Sequence, residues 1–183
     1  MRTLRATIVL GVVLCTVAAG VAMAGGDDRR KGKTKKATAA LVDGNGKKLG
    51  YVTLSQFRGK VTVAGRVKGI APGFHGFHVH AVGKCEGPAF TTAGGHFSAP
   101  GQTHRSHAGD LPPLLVNADG SASAAFETDR FVLAQLRDAD GSALIVHAGP
   151  DNFANIPPRY GTADADTLAT GDSGARTACG VVK

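Results

Sequence analysis

The stretch "GKVTVAGRVKGIAPGFHGFHVHAV", residues 59–82, alternates apolar and polar side chains twice, first over 60–67 and again over 74–82. A period of two is the mark of a strand with one face turned to a core. Within the second run, residues two apart share a face. His78 and His80 therefore stand together, opposite Phe77 and Val79, while His75 has the parity of the core-facing pair. Three of the chain's seven histidines thus fall within six positions of one strand.

Further strands flank this stretch. "ATAALVD", "GNG" and "KKLGYVTLSQF" read as strand, turn, strand, with Asn45-Gly46 supplying the positive φ angles of a two-residue hairpin. "LLV", "NADG" and "SASAAFE" (114–127) predict a second hairpin, "SALIVHA" (142–148) a buried strand and "GVVK" (180–183) a closing one. The 26 Gly, 8 Pro and absence of Trp suit short strands between turns, so the class is all-β. Residues of about 83–113 and 148–175 lose periodicity and are too long for plain connections, which marks them as functional loops.

The N-terminus reads as a targeting segment. "MRTLR" is basic, Ala6 to Gly26 carries no charge, and "AMA" at 22–24 has the small residues a signal peptidase requires. Cleavage after Ala24 leaves a signal peptide at 1–24, a basic flexible linker at 25–36 and one domain at 37–183. Two other readings stay open: the uncharged run is long enough to tether the chain in a bilayer, and "VVLC" at Cys15 resembles a lipidation site. Either way the chain is exported, to the exterior or to the periplasm and cell envelope. The formal charge of +7 is concentrated at this end: six basic residues lie at 29–36 and two in the first five, leaving 13 Lys and Arg against 12 Asp and Glu in 37–183. The linker can associate weakly with anionic envelope surfaces, and no aromatic interleaving favours nucleic acid. After cleavage Cys85 and Cys179 remain, either as one disulfide, as suits an oxidising compartment, or as two buried thiols. A bond would close a loop of about 95 residues, worth about 4 to 5 kcal/mol by chain entropy.

The remaining histidines follow a chelating pattern. His96, His104 and His107 lie in the first long loop before Asp110, and His147 ends the buried strand. Neutral imidazoles and a carboxylate are zinc and copper ligands, three His with one Asp being a common tetrahedral zinc set. Two short motifs carry no site. "DGNG" and "DADG" lack the glutamate of a calcium loop, Leu54 standing twelfth from Asp43, and "GDSGA" (171–175) lacks the context of a serine protease.

From about Ala37 to Lys183 the chain resembles the copper/zinc superoxide dismutase family, in its secreted bacterial form, through "GFHGFHVH", "GGHF", "HAGDLP", "IVHAGPDN" and "GARTACGVV". The resemblance implies an eight-stranded Greek-key β-barrel or sandwich and an oxidoreductase that converts superoxide to oxygen and hydrogen peroxide, protecting the envelope or exterior from oxidative damage. It implies one copper per subunit on His78, His80, His96 and His147, and one zinc on His96, His104, His107 and Asp110, with His96 bridging. Asp151 matches a carboxylate joining a copper histidine to a zinc histidine. Arg176 matches an anion-guiding arginine, Thr170 a threonine narrowing the substrate channel, and His75 a metal-free brace of the backbone. Cys85 and Cys179 match the family's disulfide, and the resemblance admits a homodimer. One departure stands out: only two residues separate His104 from His107, fewer than in many relatives, although the step of eight from His96 to His104 and of three from His107 to Asp110 are kept. A copper-buffering module and a zinc hydrolase are the rival classes, and neither uses every residue matched.

Overall fold

Alternation becomes burial along each long strand. In the computed structural model, which describes residues 33–183, β1 (Lys35–Asp43) buries Ala37, Ala39 and Leu41, and β3 (Lys60–Lys68) buries Val61, Val63 and Val67. β2 (Lys48–Phe57) lies between them, with a register shift at Leu41/Val42 that lets Leu49, Val52 and Leu54 all face inward. The expected signal segment, its cleavage site and the linker as far as residue 32 lie outside the described residues. Lys35 and Lys36, expected in the linker, instead open β1 by pairing with Gln56 and Ser55.

Nine strands are formed among the described residues. Seven make one antiparallel sheet in the order β5-β8-β9-β1-β2-β3-β7, where β5 is Phe77–His80, β7 Ser121–Thr128, β8 Ala143–His147 and β9 Arg176–Val181. β4 (Gly73–His75) and β6 (Leu114–Val116) pair separately. The curled sheet with its out-of-sequence neighbours is the expected Greek-key barrel, closed over a core that includes Leu54, Phe77, Val79, Phe131, Leu133, Leu136 and Leu144.

Three local expectations change. The single strand over 74–82 is two strands in different sheets, divided at Gly76. Its amide donates to Gly149 O and its carbonyl accepts from His147 N, and a Cβ there would collide with Ser173 and crowd the His78 ring. Consequently β6 pairs with β4 rather than forming a ladder with β7, although the turn after it closes through Asn117 N to Ser121 O. At the first hairpin only Gly46 has positive φ; Asp43 closes a longer turn by accepting from the amides of Asn45 and Lys47, at 2.9 Å each. A carboxylate at the strand end thus replaces the two-residue turn geometry.

Both long loops return to the barrel. The first touches β5 through bridges of His78 with Asp110 and of His80 with His96. The second contains an unexpected helix, α1 (Ala165–Thr170), too short for periodicity to reveal. Its signal lay at its ends, Asp164 capping Thr167 N at 2.8 Å and Gly171 in the left-handed conformation.

Candidate metal centre

β5 and β8 are neighbours in the sheet, with Phe77 opposite Val146 and His78 opposite Ile145. Phe77, Val79, Leu144 and Val146 enter the core, which fixes His78, His80 and His147 at one end of the barrel. The first loop adds His96, and the four offer ligand nitrogens within 4.8 Å of one another. His80 Nε2 lies 3.3 Å from His147 Nε2.

Outer hydrogen bonds decide which nitrogen of each ring is free. A carbonyl or carboxylate oxygen can only accept, so where it lies outside a cluster the ring nitrogen facing it carries the proton. His80 Nδ1 donates to Gly94 O at 2.9 Å, His147 Nδ1 to Gly174 O at 3.0 Å and His78 Nε2 to Asp151 Oδ2 at 2.8 Å. The inward lone pairs are therefore Nε2, Nε2 and Nδ1. Burial keeps these rings neutral: it pushes His80 down to about 2, His147 to about 3 and His78, against the pull of Asp151, to about 4. A neutral imidazole is the form that binds a metal.

A second cluster is centred on Asp110. Its Oδ1 is 3.0 Å from His96 Nδ1 and 3.3 Å from both His104 Nδ1 and His107 Nδ1, and His107 Nδ1 is 3.3 Å from His96 Nδ1. Ligands 2.0 to 2.1 Å from a tetrahedral zinc are separated by about 3.3 to 3.4 Å, close to these four separations. The ligand atoms of His78, His96, His104 and Asp110 also lie within 4.8 Å of one another, so His78 borders both clusters.

The two clusters share His96, whose Nδ1 faces the second and whose Nε2 faces the first. Asp151 joins them from behind, receiving His78 Nε2 on one oxygen and His104 Nε2, at 2.7 Å, on the other. Burial opposes charge on His104, but Asp110 and Asp151 hold its pKa up to about 9. Against their own burial, contacts with His104 hold both carboxylates well below the usual range, helped by His96 at Asp110 and by His78 at Asp151. Burial pushes His107 down. His78 Nδ1, His96 Nε2 and His104 Nδ1 are buried without any hydrogen-bond partner. Each points into a cluster where a cation would satisfy it, His104 Nδ1 once that cation displaces its proton, so both clusters fit a metal.

His75 stands apart from both sets, its ring nitrogens 2.7 and 2.8 Å from the carbonyls of His147 and Ala71. It ties the end of β8 to the turn before β4, in keeping with a brace.

Arg176 and Thr170 border a cleft of about 480 Å³ that opens on His80, His96 and His147. The guanidinium donates to Phe90 O and Gly94 O, both at 2.6 Å. Those carbonyls belong to the segment that Cys85 anchors through its bond to Cys179, so the disulfide and the arginine form one unit. Burial lowers the pKa of Arg176, yet a guanidinium remains charged. Sequence reasoning missed Asp166 and Asp172, which line the same cleft. It also missed the carbonyl contacts, which side-chain identity does not encode. Asp172 is restrained by Asn152 and Thr167.

Comparison with known proteins bears on family and fold. The model of the family described as copper/zinc superoxide dismutase matches residues 48–182. The chain is 42% identical over 177 residues to superoxide dismutase [Cu-Zn] of Mycobacterium tuberculosis, covering 86% of this chain and 74% of that one. It is 34% identical over 156 residues to extracellular superoxide dismutase [Cu-Zn] of Brugia pahangi, covering 82% and 76%. The structure of Cu/Zn superoxide dismutase from Brucella abortus superposes with a TM-score of 0.67 at 29% identity, over 81% of this chain and all of the other.

Proposed function

The chain belongs to the copper/zinc superoxide dismutase family and dismutates superoxide with copper and zinc as its metals, and from that premise we propose how its residues divide the work. His78, His80, His96 and His147 hold copper; His96, His104, His107 and Asp110 hold zinc. The observation carrying this division is His96, a buried ring with one nitrogen in each cluster and Nε2 otherwise unpartnered. Copper supplies the one-electron chemistry, which zinc cannot, and zinc steadies the shared imidazole.

Arg176 acts first. Two carbonyls fix its guanidinium at the rim of the cleft, and at about 4 Å from an anion its attraction is roughly 4 kcal/mol for an effective dielectric near 20. Thr170 narrows the approach, while Asp166 and Asp172 on the same walls repel anions that miss the arginine. His96 Nε2 would take a proton from solvent in the half of the cycle that yields oxygen and deliver it in the half that yields hydrogen peroxide, the second proton of the peroxide coming from solvent. Asp151 holds His78 and His104 at fixed tautomers while the shared ring changes its protonation.

Residues 1–24 act as an export signal, and the protein works at the envelope or exterior. The disulfide supports this, since such bonds persist in oxidising compartments, and so does a relative named extracellular. The basic segment at 25–36 favours anionic envelope surfaces.

Replacing Arg176 by Ala tests the guiding role. Superoxide removal by the metal-loaded protein should slow several-fold and lose most of its dependence on ionic strength. An unchanged rate with an unchanged salt dependence would remove Arg176 from the mechanism.

A further inference from the structure

The step from His104 to His107 is too short to make a strand or helix of its own, yet both Nδ1 atoms meet at Asp110. Arg105, inside the step, has φ of 65°, a left-handed backbone that a residue with a side chain adopts only when held. Within the loop the restraints are local: Ser106 N and Ser106 Oγ both donate to Thr103 O, Asp110 N to His107 O, and His107 N to Asp110 Oδ2. His104 N donates to Leu168 O, which belongs to the other long loop.

After the step, Gly109 and Leu111 bond to β5 through Val79 N to Gly109 O and Leu111 N to Phe77 O; the step itself is tied to the barrel by Arg130, just after β7. One guanidinium nitrogen, Nη1, donates to Arg105 O and to His107 O, each at 3.0 Å. Its own backbone is well anchored, with Arg130 N bonded to Thr128 Oγ1 at 3.2 Å and Phe131 buried in the core. The bridged carbonyls are two residues apart and enclose Ser106, so a single side chain sets the shape of the step. A cation also suits these carbonyls, because charge-assisted hydrogen bonds are the stronger kind.

We propose that Arg130 is a positioning residue for zinc: it clamps the short step so that the Nδ1 atoms of His104 and His107 converge, and it sets zinc affinity without touching the metal. This rests on the reading that His104 and His107 hold zinc. Groups that orient ligands from behind commonly change metal affinity about 10- to 100-fold when removed.

The test measures the zinc dissociation constant of the full chain by competition with a chromophoric chelator, alongside the visible spectrum of cobalt(II) placed in the zinc site. R130A should weaken zinc at least about tenfold and alter the cobalt bands, with copper affinity kept within about twofold. R130K, whose ammonium can donate to both carbonyls, should recover most of the loss. Arg130 is exposed, so its truncation leaves no cavity. The control is R137A: Arg137 also donates to a backbone carbonyl, that of Lys36, far along the chain, and its loss should leave zinc and cobalt unchanged. Zinc affinity and cobalt bands in R130A equal to those of R137A would overturn the proposal while leaving the zinc reading intact. H107A tells the two failures apart, because if it too binds zinc as the parent does, the zinc reading itself falls and the clamp with it.

Discussion

The two halves of the metal centre are built differently. His78, His80 and His147 sit on adjacent strands whose alternate residues fill the core, so their backbones are fixed by the same packing that stabilises the barrel. His96, His104, His107 and Asp110 sit on a loop and are positioned by carboxylates, by Arg130 and by the neighbouring loop. Electrostatics follow the same line. Burial leaves the strand-borne rings neutral, whereas His104, between Asp110 and Asp151, favours its charged form. The strand half is organised by apolar burial before any metal arrives, and the loop half depends on polar contacts that a metal completes.

The sharpest test sets one residue from each half against the other. His80→Ala should empty the copper site and bring superoxide removal to background, because no other ring can replace a strand-fixed ligand. His107→Ala should lower zinc content while copper remains. Metal analysis with an activity assay reads both, and equal loss of the two metals in both variants would break the distinction between the halves.

Asp151 joins the halves, so its removal should affect both. Asp151→Ala frees His78 Nε2 and His104 Nε2 together, and affinity for each metal should fall about 10- to 100-fold. Competition titrations measure this; a loss confined to zinc would mean that core packing alone orients His78.

The smallest effect is expected at α1, on which the loop half leans through His104 N and Leu168 O. Asp164 caps α1 by accepting from Thr167 N, and that bond lowers its pKa from the ordinary 3.8. A lowered folded value means the cap contributes stability above the unfolded carboxylate value and loses it as pH falls through the folded one. Amide exchange at Thr167 and Leu168 should therefore be faster in Asp164→Ala than in the parent at pH 7, and the difference should vanish in strong acid. A difference that persists there would assign the helix to some other restraint.

Legibility followed the same division. The strand-borne ligands could be read from parity in "FHVH" and "ALIVH", because alternation and burial are local properties of a strand. Gly76 broke that reading only upstream of the ligands, where backbone bonds to Gly149 and His147 end one sheet and begin another. The loop-borne ligands had no periodicity; their residue types and spacing suggested a zinc set, but which nitrogens meet could not be inferred. The restraints from Arg130 and Arg176 were hidden, since both end on carbonyls that every residue possesses.

The order of amino acids alone determined that this chain is a β protein, that seven polar groups of metal-binding type gather in two segments and one strand end, and that two cysteines remain for pairing. Tertiary structure decided how those groups are shared: His96 is divided between two clusters, Asp151 spans both, and the disulfide-anchored segment aims Arg176 into the cleft. The reason is physical. Strand periodicity arises between neighbours along the chain, while the position of a lone pair depends on partners such as Asp151, 73 residues beyond His78, that only folding brings within 2.8 Å.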